Sequence, residues 1–275
     1  MANNAASHSD EPKVWFIGAG PGDPELITVK GQRLISQADL VLYAGSLVPP
    51  EVIACARDGA QVADSAPLNL QETHNLMMQT VRAGGMVARV HTGDPSLYGA
   101  IREQMALLDL ENVRYAVVPG VTSAFAAAAA ANVSLTLPEI TQSFIITRVE
   151  GRTPVPEAEK LRNMAKRGAA MAIYLSASLP ETITEELRAG GLGDDTRIIA
   201  AYRVGWPQQR IIECTLGTLT DTVRNEKLQR QTVFLVLPGN SMHSNTQSES
   251  EAAHDQPQSK LYDASFTHGW RKAKA

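Results

Sequence analysis

Residues 14–24 read VWFIGAGPGDP, an apolar run that leads directly into a loop of glycine and proline. Val14–Ile17 has the length and composition of a short strand that is buried on both faces of a sheet. The glycines after it allow a tight turn and let a ligand approach the backbone. The stretch predicts a turn from a strand into a helix, where a small molecule can bind, although a purely structural turn has the same pattern.

Similar apolar runs recur along the chain and alternate with segments of helical length. The predicted strands are Val14–Ile17, Leu40–Tyr43, Val87–His91, Tyr115–Val118, Phe144–Thr147, Ala170–Leu175, Ile198–Tyr202 and Val233–Leu237. The predicted helices are Thr28–Ala38, Leu70–Arg82, Leu97–Leu110, Thr122–Ala131, Glu157–Arg167, Pro180–Arg188 and Leu219–Leu228. This alternation is typical of α/β proteins with mostly parallel strands.

Irregular segments divide the chain. The stretch Asn132–Gln142 contains Pro138 and has no helical period, which favours a domain junction. We therefore expect a first α/β domain over residues 13–132 and a second over residues 133–239. Polar residues dominate 1–12 and much of 240–275, so we expect a disordered arm and a disordered or weakly ordered tail.

The composition argues against several functional classes. A net charge of −4 provides no global field for nucleic acid or an anionic membrane. No apolar run approaches the about 20 residues that span a bilayer. Cys55 and Cys214 lie far apart, which favours a reducing, cytoplasmic setting over a disulfide framework. Four of the six histidines lie in the arm and tail, which argues against a histidine-rich catalytic metal site.

Two further loops also follow predicted strands. Thr92–Gly99 reads TGDPSLYG, and Pro119–Ala124 reads PGVTSA. In a parallel sheet such loops converge at the carboxyl ends of the strands, where α/β folds bind ligands. Asp94, Thr122 and Ser123 suit either a ligand contact or a helix cap.

The glycine loop departs from the known phosphate-binding fingerprints. The dinucleotide pattern needs glycine where Asp23 stands, and Pro21 lacks an amide that could hold a phosphate. The chain also has no Gly-Lys-Ser/Thr sequence, so the loop is not a P-loop. A non-catalytic nucleotide-binding module, such as an NAD-binding protein, is therefore the alternative interpretation from another class.

With these loops in this order and spacing, the chain resembles the tetrapyrrole (corrin/porphyrin) methyltransferases over about Lys13 to Gly239. Tyr43–Val48, Leu135–Ser143 and Thr147–Pro154 resemble the subgroup that methylates C11 of precorrin-4. The resemblance implies two α/β domains, a mostly parallel sheet in the first, and a cleft between them for the cofactor. It also implies a C-methyltransferase that converts precorrin-4, or cobalt-precorrin-4, to precorrin-5 in vitamin B12 biosynthesis.

The resemblance further implies S-adenosylmethionine as cofactor, S-adenosylhomocysteine as product, and no metal for catalysis. The implied cofactor-binding residues are Pro21, Thr92, Gly93, Asp94, Thr122, Ser123, Leu175, Ala200 and Thr232. Relatives often carry methionine at the position of Leu175, and ordinary core packing is the alternative for Leu175 and Ala200. Methylation of another tetrapyrrole, such as uroporphyrinogen III or another precorrin, is the alternative activity. Uroporphyrinogen enzymes usually have two glycines where this chain has Thr92 and Gly93.

An acidic tetrapyrrole carries acetate and propionate groups, which arginine binds well. The candidate substrate-binding residues, which surface charge also explains, are Arg148, Arg152 and Arg203. Tyr98 and His91 are candidates for proton handling or ring contact, with a structural histidine as the alternative for His91. Trp206 either stacks on the macrocycle or packs within its domain. The sequence identifies no catalytic base, and the resemblance implies a homodimer that binds neither nucleic acid nor membrane.

Overall fold

A computed structural model describes residues 11–239 and 259–273 of the chain. The chain forms two compact units. One extends to Ala126 and includes Gly205–Pro207, and the other comprises Ala127–Val204 and continues from Gln208. The junction predicted at residues 132–133 lies near the start of the second unit. The return of Gly205–Pro207 to the first unit has no counterpart in the sequence prediction.

The first unit contains a five-stranded sheet in which all strands are parallel, in the order β3-β2-β4-β1-β5. The strands are β1 (Val14–Gly18), β2 (Leu40–Tyr43), β3 (Gln61–Asp64), β4 (Val87–His91) and β5 (Tyr115–Val118). The predicted parallel sheet is therefore confirmed. The sequence did not predict β3, because this edge strand is largely exposed and has no continuous apolar run.

Helices connect the strands of the first sheet, and the loops after β1, β4 and β5 lie at the carboxyl ends of these strands. They are α1 (Val29–Ile35), α2 (Pro50–Ile53), α3 (Leu70–Arg82) and α4 (Ile101–Leu110), and α5 (Ser123–Ala130) follows β5. Alternation along β1 places Phe16 in one apolar cluster and Ile17 in another. The predicted bounds of α3 are correct, because Asn69 and Glu72 form a capping box at its start.

The second unit contains a mixed five-stranded sheet in the order β6-β7-β10-β8-β9. Its strands are β6 (Phe144–Arg148), β7 (Ala170–Tyr174), β8 (Arg197–Tyr202), β9 (Arg210–Thr215) and β10 (Thr232–Leu237). Only β6 and β7 are parallel, so the expectation of mostly parallel strands is wrong for this sheet. The short connection between β8 and β9 makes them an antiparallel pair, and half-exposed β9 has no buried run that would have predicted it.

The second sheet packs one face against α6 (Leu161–Ala165), α7 (Pro180–Ala189) and α8 (Leu219–Asn225). The prediction of a disordered tail falls mainly on residues 240–258, which lie outside the described residues, as do residues 1–10 of the arm. Residues 259–273 form turns and an isolated bridge between His268 and Arg271. No helix in the described part of the chain is long and apolar enough to cross a membrane.

Candidate functional site

Three loops meet at the carboxyl ends of the central strands of the first unit. β1 lies between β4 and β5, so the loops that follow these strands are neighbours. The Ala19 amide donates to the His91 carbonyl at 2.7 Å. Gly20 and Gly93 exchange both backbone hydrogen bonds, at 2.7 and 3.3 Å. The convergence predicted from the sequence is therefore present, and it unites all the candidate residues on these three loops.

The three loops approach each other through glycine. A Cβ atom at Gly18 would lie 2.6 Å from the Gly120 Cα and from the Gly93 carbonyl oxygen. A Cβ atom at Gly120 would lie only 2.1 Å from the same oxygen. Any side chain at these two positions would separate the loops, so glycine is required for this backbone-to-backbone packing.

The carboxylate of Asp94 connects two of the loops. Its Oδ1 accepts a hydrogen bond from the Ser96 amide at 2.8 Å, and its Oδ2 accepts one from the Gly120 amide at 2.9 Å. The first bond is the turn contact that the sequence predicts. The second connects the loop after β4 with the loop after β5, so Asp94 shapes the site through its backbone contacts.

Gly93 has room for a Cβ atom without a steric clash. This glycine has φ +61°, and a Cβ atom there would have its nearest neighbour at 3.9 Å. Thr92 beside it is exposed, whereas Pro21 on the adjacent loop is buried. Thr92 is therefore the exposed residue of this loop edge, whereas the Gly93 amide and carbonyl are engaged by Gly20, and Gly18 and Gly120 are closed by packing.

The third loop places Thr122 and Ser123 at the start of α5. The Thr122 carbonyl accepts hydrogen bonds from the amides of Phe125 and Ala126 at 3.1 and 3.2 Å. Thr122 is buried and Ser123 is half-buried. Both residues therefore lie at the loop edge that the sequence predicts, with Ser123 the more accessible of the two.

Trp206 contacts the glycine loop within the first unit. Its Nε1 donates a hydrogen bond to the Pro21 carbonyl at 3.1 Å. A Cβ atom at Gly22 would lie 2.3 Å from the Trp206 Cδ1. Of the two roles predicted for Trp206, packing within its domain is the one that these contacts describe.

His91 ends β4 in a buried environment, with 4% of its surface exposed. Burial, followed by the nearby charge of Arg89, lowers the pKa of the imidazole to about 3. The ring is therefore neutral near pH 7, and its Nε2 has no hydrogen-bond partner among the described residues. A neutral buried imidazole with so low a pKa is a poor proton acceptor, which favours the structural interpretation of His91.

Arg89 was not predicted from the sequence as a site residue, and it is buried in the middle of β4. Its Nε donates to the Gln104 side chain at 3.0 Å, and its Nη1 donates to the Leu42 carbonyl at 3.1 Å. Gln104 in turn donates to the Ala100 carbonyl at 3.1 Å. This chain of bonds joins β2, β4 and the start of α4. Its position as a charged residue within the buried strand sequence VARVH was the sequence feature that could have predicted this buried network.

Tyr98 lies on a turn with unusual backbone geometry. Tyr98 and Ala100 have φ of +57° and +47°, and a Cβ atom at Gly99 would lie 2.1 Å from the Pro95 carbonyl oxygen. The predicted start of α4 at Leu97 is therefore wrong, because the helix begins only at Ile101. Two non-glycine residues in the left-handed region cost about 1 kcal/mol or more each, so the surrounding contacts must offset that strain. In this turn, 44% of the surface of Tyr98 is exposed.

In the second unit, Leu175 follows β7 with φ +52° and 71% of its surface exposed. The predicted strand therefore ends one residue earlier, at Tyr174. Ser176 is fully buried, and its hydroxyl donates to the Tyr174 carbonyl at 2.6 Å and accepts from the Val149 amide at 2.9 Å. These bonds fix the turn that exposes the apolar side chain of Leu175, as a ligand contact requires.

Ala200 and Thr232 lie deeper in the second unit. Ala200 is fully buried in β8, between β9 and β10, and belongs to the apolar core. Thr232 is buried at the start of β10, with its hydroxyl 2.9 Å from the Leu228 carbonyl and 3.0 Å from the Arg230 carbonyl. These contacts describe packing and local hydrogen bonding for both residues.

The three candidate arginines differ in their surroundings. The Arg148 guanidinium donates to the carbonyls of Val149, Thr153 and Pro154, at 3.4, 3.1 and 2.7 Å. It therefore organises the loop on which exposed Arg152 lies. Arg203 is half-buried with φ +45°, and its amide donates to the Gln231 carbonyl at 2.9 Å.

The described residues contain no group of three or more His, Cys, Asp or Glu side chains that could hold a metal ion. The three loops of the first unit lie together, with Thr92 exposed beside Gly93.

Comparison with known proteins identifies the family. Residues 13–220 match the model of the tetrapyrrole (corrin/porphyrin) methylases. The chain belongs to this family. The match includes all three loops of the first unit and extends through β9 of the second. Membership argues against the alternative of a non-catalytic nucleotide-binding module.

Methylases of known name align over most of the chain. A cobalt-precorrin-4 C(11)-methyltransferase of Priestia megaterium is 48% identical over 261 residues, which cover 94% of this chain and 98% of the relative. A precorrin-4 C(11)-methyltransferase of Pseudomonas aeruginosa is 43% identical and also covers 94% of this chain and 98% of the relative.

Solved methylase structures share the fold. A cobalt precorrin-4 methyltransferase from cobalamin biosynthesis superimposes with a TM-score of 0.80 at 48% identity, over 82% of this chain and 94% of that one. A uroporphyrin-III C-methyltransferase of Thermus thermophilus, in complex with S-adenosylhomocysteine, has a TM-score of 0.67 at 28% identity. It covers 82% of this chain and 92% of its own.

Proposed function

We propose that this methylase transfers a methyl group from S-adenosylmethionine to C11 of precorrin-4, or of cobalt-precorrin-4, in cobalamin biosynthesis. The observation that carries the proposal is the 48% identity to a relative of that activity over nearly the full length of both chains. The resemblance of Tyr43–Val48, Leu135–Ser143 and Thr147–Pro154 to the same subgroup supports it.

The cofactor supplies an electrophilic methyl group on a sulfonium, which a nucleophilic carbon of the substrate attacks. The protein's contribution is to hold the reactants in contact at the required angle and to exclude water. Asp94 and the close-packed glycines contribute by fixing three loops relative to each other. Their rigidity preserves a binding geometry that flexible loops would have to form at an entropic cost.

Each unit by itself contains candidate contacts for an organic cofactor. In the first unit, exposed Thr92 beside Gly93 is a candidate contact; in the second unit, Leu175 has an exposed apolar side chain. We propose Ser123 as a further polar contact. Pro21 and Asp94 act mainly by shaping the loops of the first unit, whereas Ala200 and Thr232 belong to the buried sheet of the second.

The substrate's carboxylates require cationic partners. Arg152 is exposed on a loop that Arg148 holds through three carbonyl groups, so we propose that Arg148 positions Arg152 for carboxylate binding. Arg203 is the second candidate. Tyr98 is the remaining candidate for proton handling after methyl transfer, because His91 stays neutral in its buried position.

We further propose that the enzyme works in the cytoplasm as a homodimer and binds neither nucleic acid nor membrane. The modest net charge of −4 and the two isolated cysteines support this setting. Light scattering of the purified protein tests the dimer, since a monomer mass at micromolar concentration contradicts it.

Methyl incorporation tests the proposed activity. Parallel reactions with labelled S-adenosylmethionine would contain precorrin-4, cobalt-precorrin-4 or uroporphyrinogen III, with mass spectrometry to count methyl groups and carbon NMR to locate them. One methyl at C11 of either precorrin-4 form supports the proposal and identifies the preferred substrate. Labelling of uroporphyrinogen III alone contradicts it, and so does the absence of labelling in all three reactions.

A further inference from the structure

The segment Gly205–Pro207 belongs to the first unit, although its chain neighbours Val204 and Gln208 belong to the second. Its contacts with the glycine loop are close. The hydrogen bond from Trp206 to the Pro21 carbonyl is 3.1 Å long. A Cβ atom at Gly205 would lie 2.7 Å from the Asp23 amide nitrogen. The segment and the glycine loop are therefore packed backbone against backbone.

Pro21 and Gly22 are the part of the glycine loop that needs an external anchor. The preceding residues, Ala19 and Gly20, are held by backbone bonds to His91 and Gly93. Pro21 has no amide hydrogen, so its carbonyl is its only backbone hydrogen-bonding group. Gly22 has no Cβ to restrict the rotation of the peptide that joins it to Pro21. A hydrogen bond to the Pro21 carbonyl therefore restrains the orientation of that peptide.

We propose that Trp206 is a positioning residue, which holds the Gly18–Pro24 loop in its cofactor-binding conformation through the bond to Pro21. The inference rests on the proposed function, because it requires that this loop contributes to S-adenosylmethionine binding. It needs no contact between the indole and the reacting atoms.

Trp206→Phe tests the bond while keeping an aromatic ring. Loss of the hydrogen bond that orients this peptide weakens S-adenosylhomocysteine binding by about 3- to 10-fold. KM for S-adenosylmethionine rises by a similar factor, whereas kcat and KM for the tetrapyrrole change little. In the ligand-free protein, hydrogen exchange at the amides of residues 19–24 becomes faster, because the peptide is no longer anchored.

Trp15→Phe is the matched control. Trp15 lies in β1, and Lys30 lies over its ring at 5.1 Å from the centroid. The same substitution there removes an indole from the same unit without touching Pro21. We expect unchanged S-adenosylhomocysteine affinity and unchanged loop exchange in this variant.

A double-mutant cycle provides a second test. Gly22→Ala places a Cβ 2.3 Å from the Trp206 Cδ1, so it displaces the indole or the loop and weakens S-adenosylhomocysteine binding. In the Trp206→Ala background the conflict with the indole is absent, and only the tight contact of 3.0 Å with the Gly205 carbonyl carbon remains. Gly22→Ala should therefore weaken binding several-fold less in this background than in the wild type. Additive effects of the two substitutions contradict the proposed coupling.

The outcomes separate the two proposals. Wild-type affinity and wild-type loop exchange in Trp206→Phe overturn the role of Trp206. So does a general loss of stability that weakens cofactor and tetrapyrrole binding alike. Failure of the wild-type chain to bind S-adenosylhomocysteine overturns the proposed function instead. In that case, loop exchange in the ligand-free variants still decides whether Trp206 holds the loop.

Discussion

The carboxylate of Asp94 accepts a hydrogen bond from the Gly120 amide at 2.9 Å, and this bond joins the loops after β4 and β5. The other carboxylate oxygen is bound to the Ser96 amide at 2.8 Å. Asp94, which the sequence predicts as a cofactor contact, thus fixes the conformation of its own loop and the position of the loop after β5. Substitutions at this position should therefore change stability and ligand affinity together.

Asp94→Asn is the sharpest test of this connection. The amide side chain has one acceptor oxygen where the carboxylate has two, so one of the two backbone bonds must be lost. We expect the free energy of unfolding to fall by about 1–2 kcal/mol. We also expect the dissociation constant for S-adenosylhomocysteine to rise about tenfold. Urea unfolding and titration calorimetry measure these quantities. Asp58→Asn, at an exposed position, is the control and should change neither.

Alanine substitutions at Gly120 and Gly93 should separate steric exclusion from backbone strain. At Gly120 the added Cβ would lie 2.1 Å from the Gly93 carbonyl oxygen, so we expect a loss of about 3 kcal/mol or more in unfolding free energy. At Gly93 there is space for the Cβ, but φ is +61°, so we expect a loss of only about 1–2 kcal/mol. Equal losses in urea unfolding would contradict the packing described for the three loops.

The low pKa of His91 predicts a pH dependence of stability. The folded state keeps the imidazole neutral down to about pH 3, whereas the unfolded state binds a proton near its ordinary pKa of 6.5. The contribution of His91 to the free energy of unfolding is therefore complete above about pH 6.5. It is lost as the pH falls towards 3, by up to about 1.4 kcal/mol per pH unit. His91→Gln should flatten the fall in unfolding free energy between pH 6.5 and 5. An identical slope in wild type and variant would show that His91 does not titrate in this way.

Burial of Arg89 predicts a strong coupling with Gln104. Gln104→Leu leaves the Arg89 Nε without its acceptor, so we expect a loss of about 1–3 kcal/mol in unfolding free energy. In the Arg89→Met background the same substitution should cost much less, because no buried donor remains unsatisfied. A thermodynamic cycle by urea unfolding measures the coupling. Additive effects would contradict it.

Local sequence patterns predicted much of the architecture. Buried strands such as β1 and β2 have continuous apolar runs, and α3 has its capping box, so each is specified by nearby residues. Edge strands β3 and β9 lack such runs because one side of each strand meets no other strand, and neither strand was predicted from the sequence. The exposed positions of Tyr98 and Leu175 depend on left-handed backbone turns, which non-glycine residues rarely adopt.

The sequence by itself determined the α/β class, the parallel first sheet and the three loops at its carboxyl edge, because short-range apolar periods and glycines encode them. Only the tertiary structure decided that the second sheet is largely antiparallel and that Asp94 bonds to Gly120. It alone also placed the indole of Trp206 on Pro21, 185 residues away in the chain. These features depend on which distant groups packing brings within hydrogen-bonding distance, and no local pattern in the sequence specifies that.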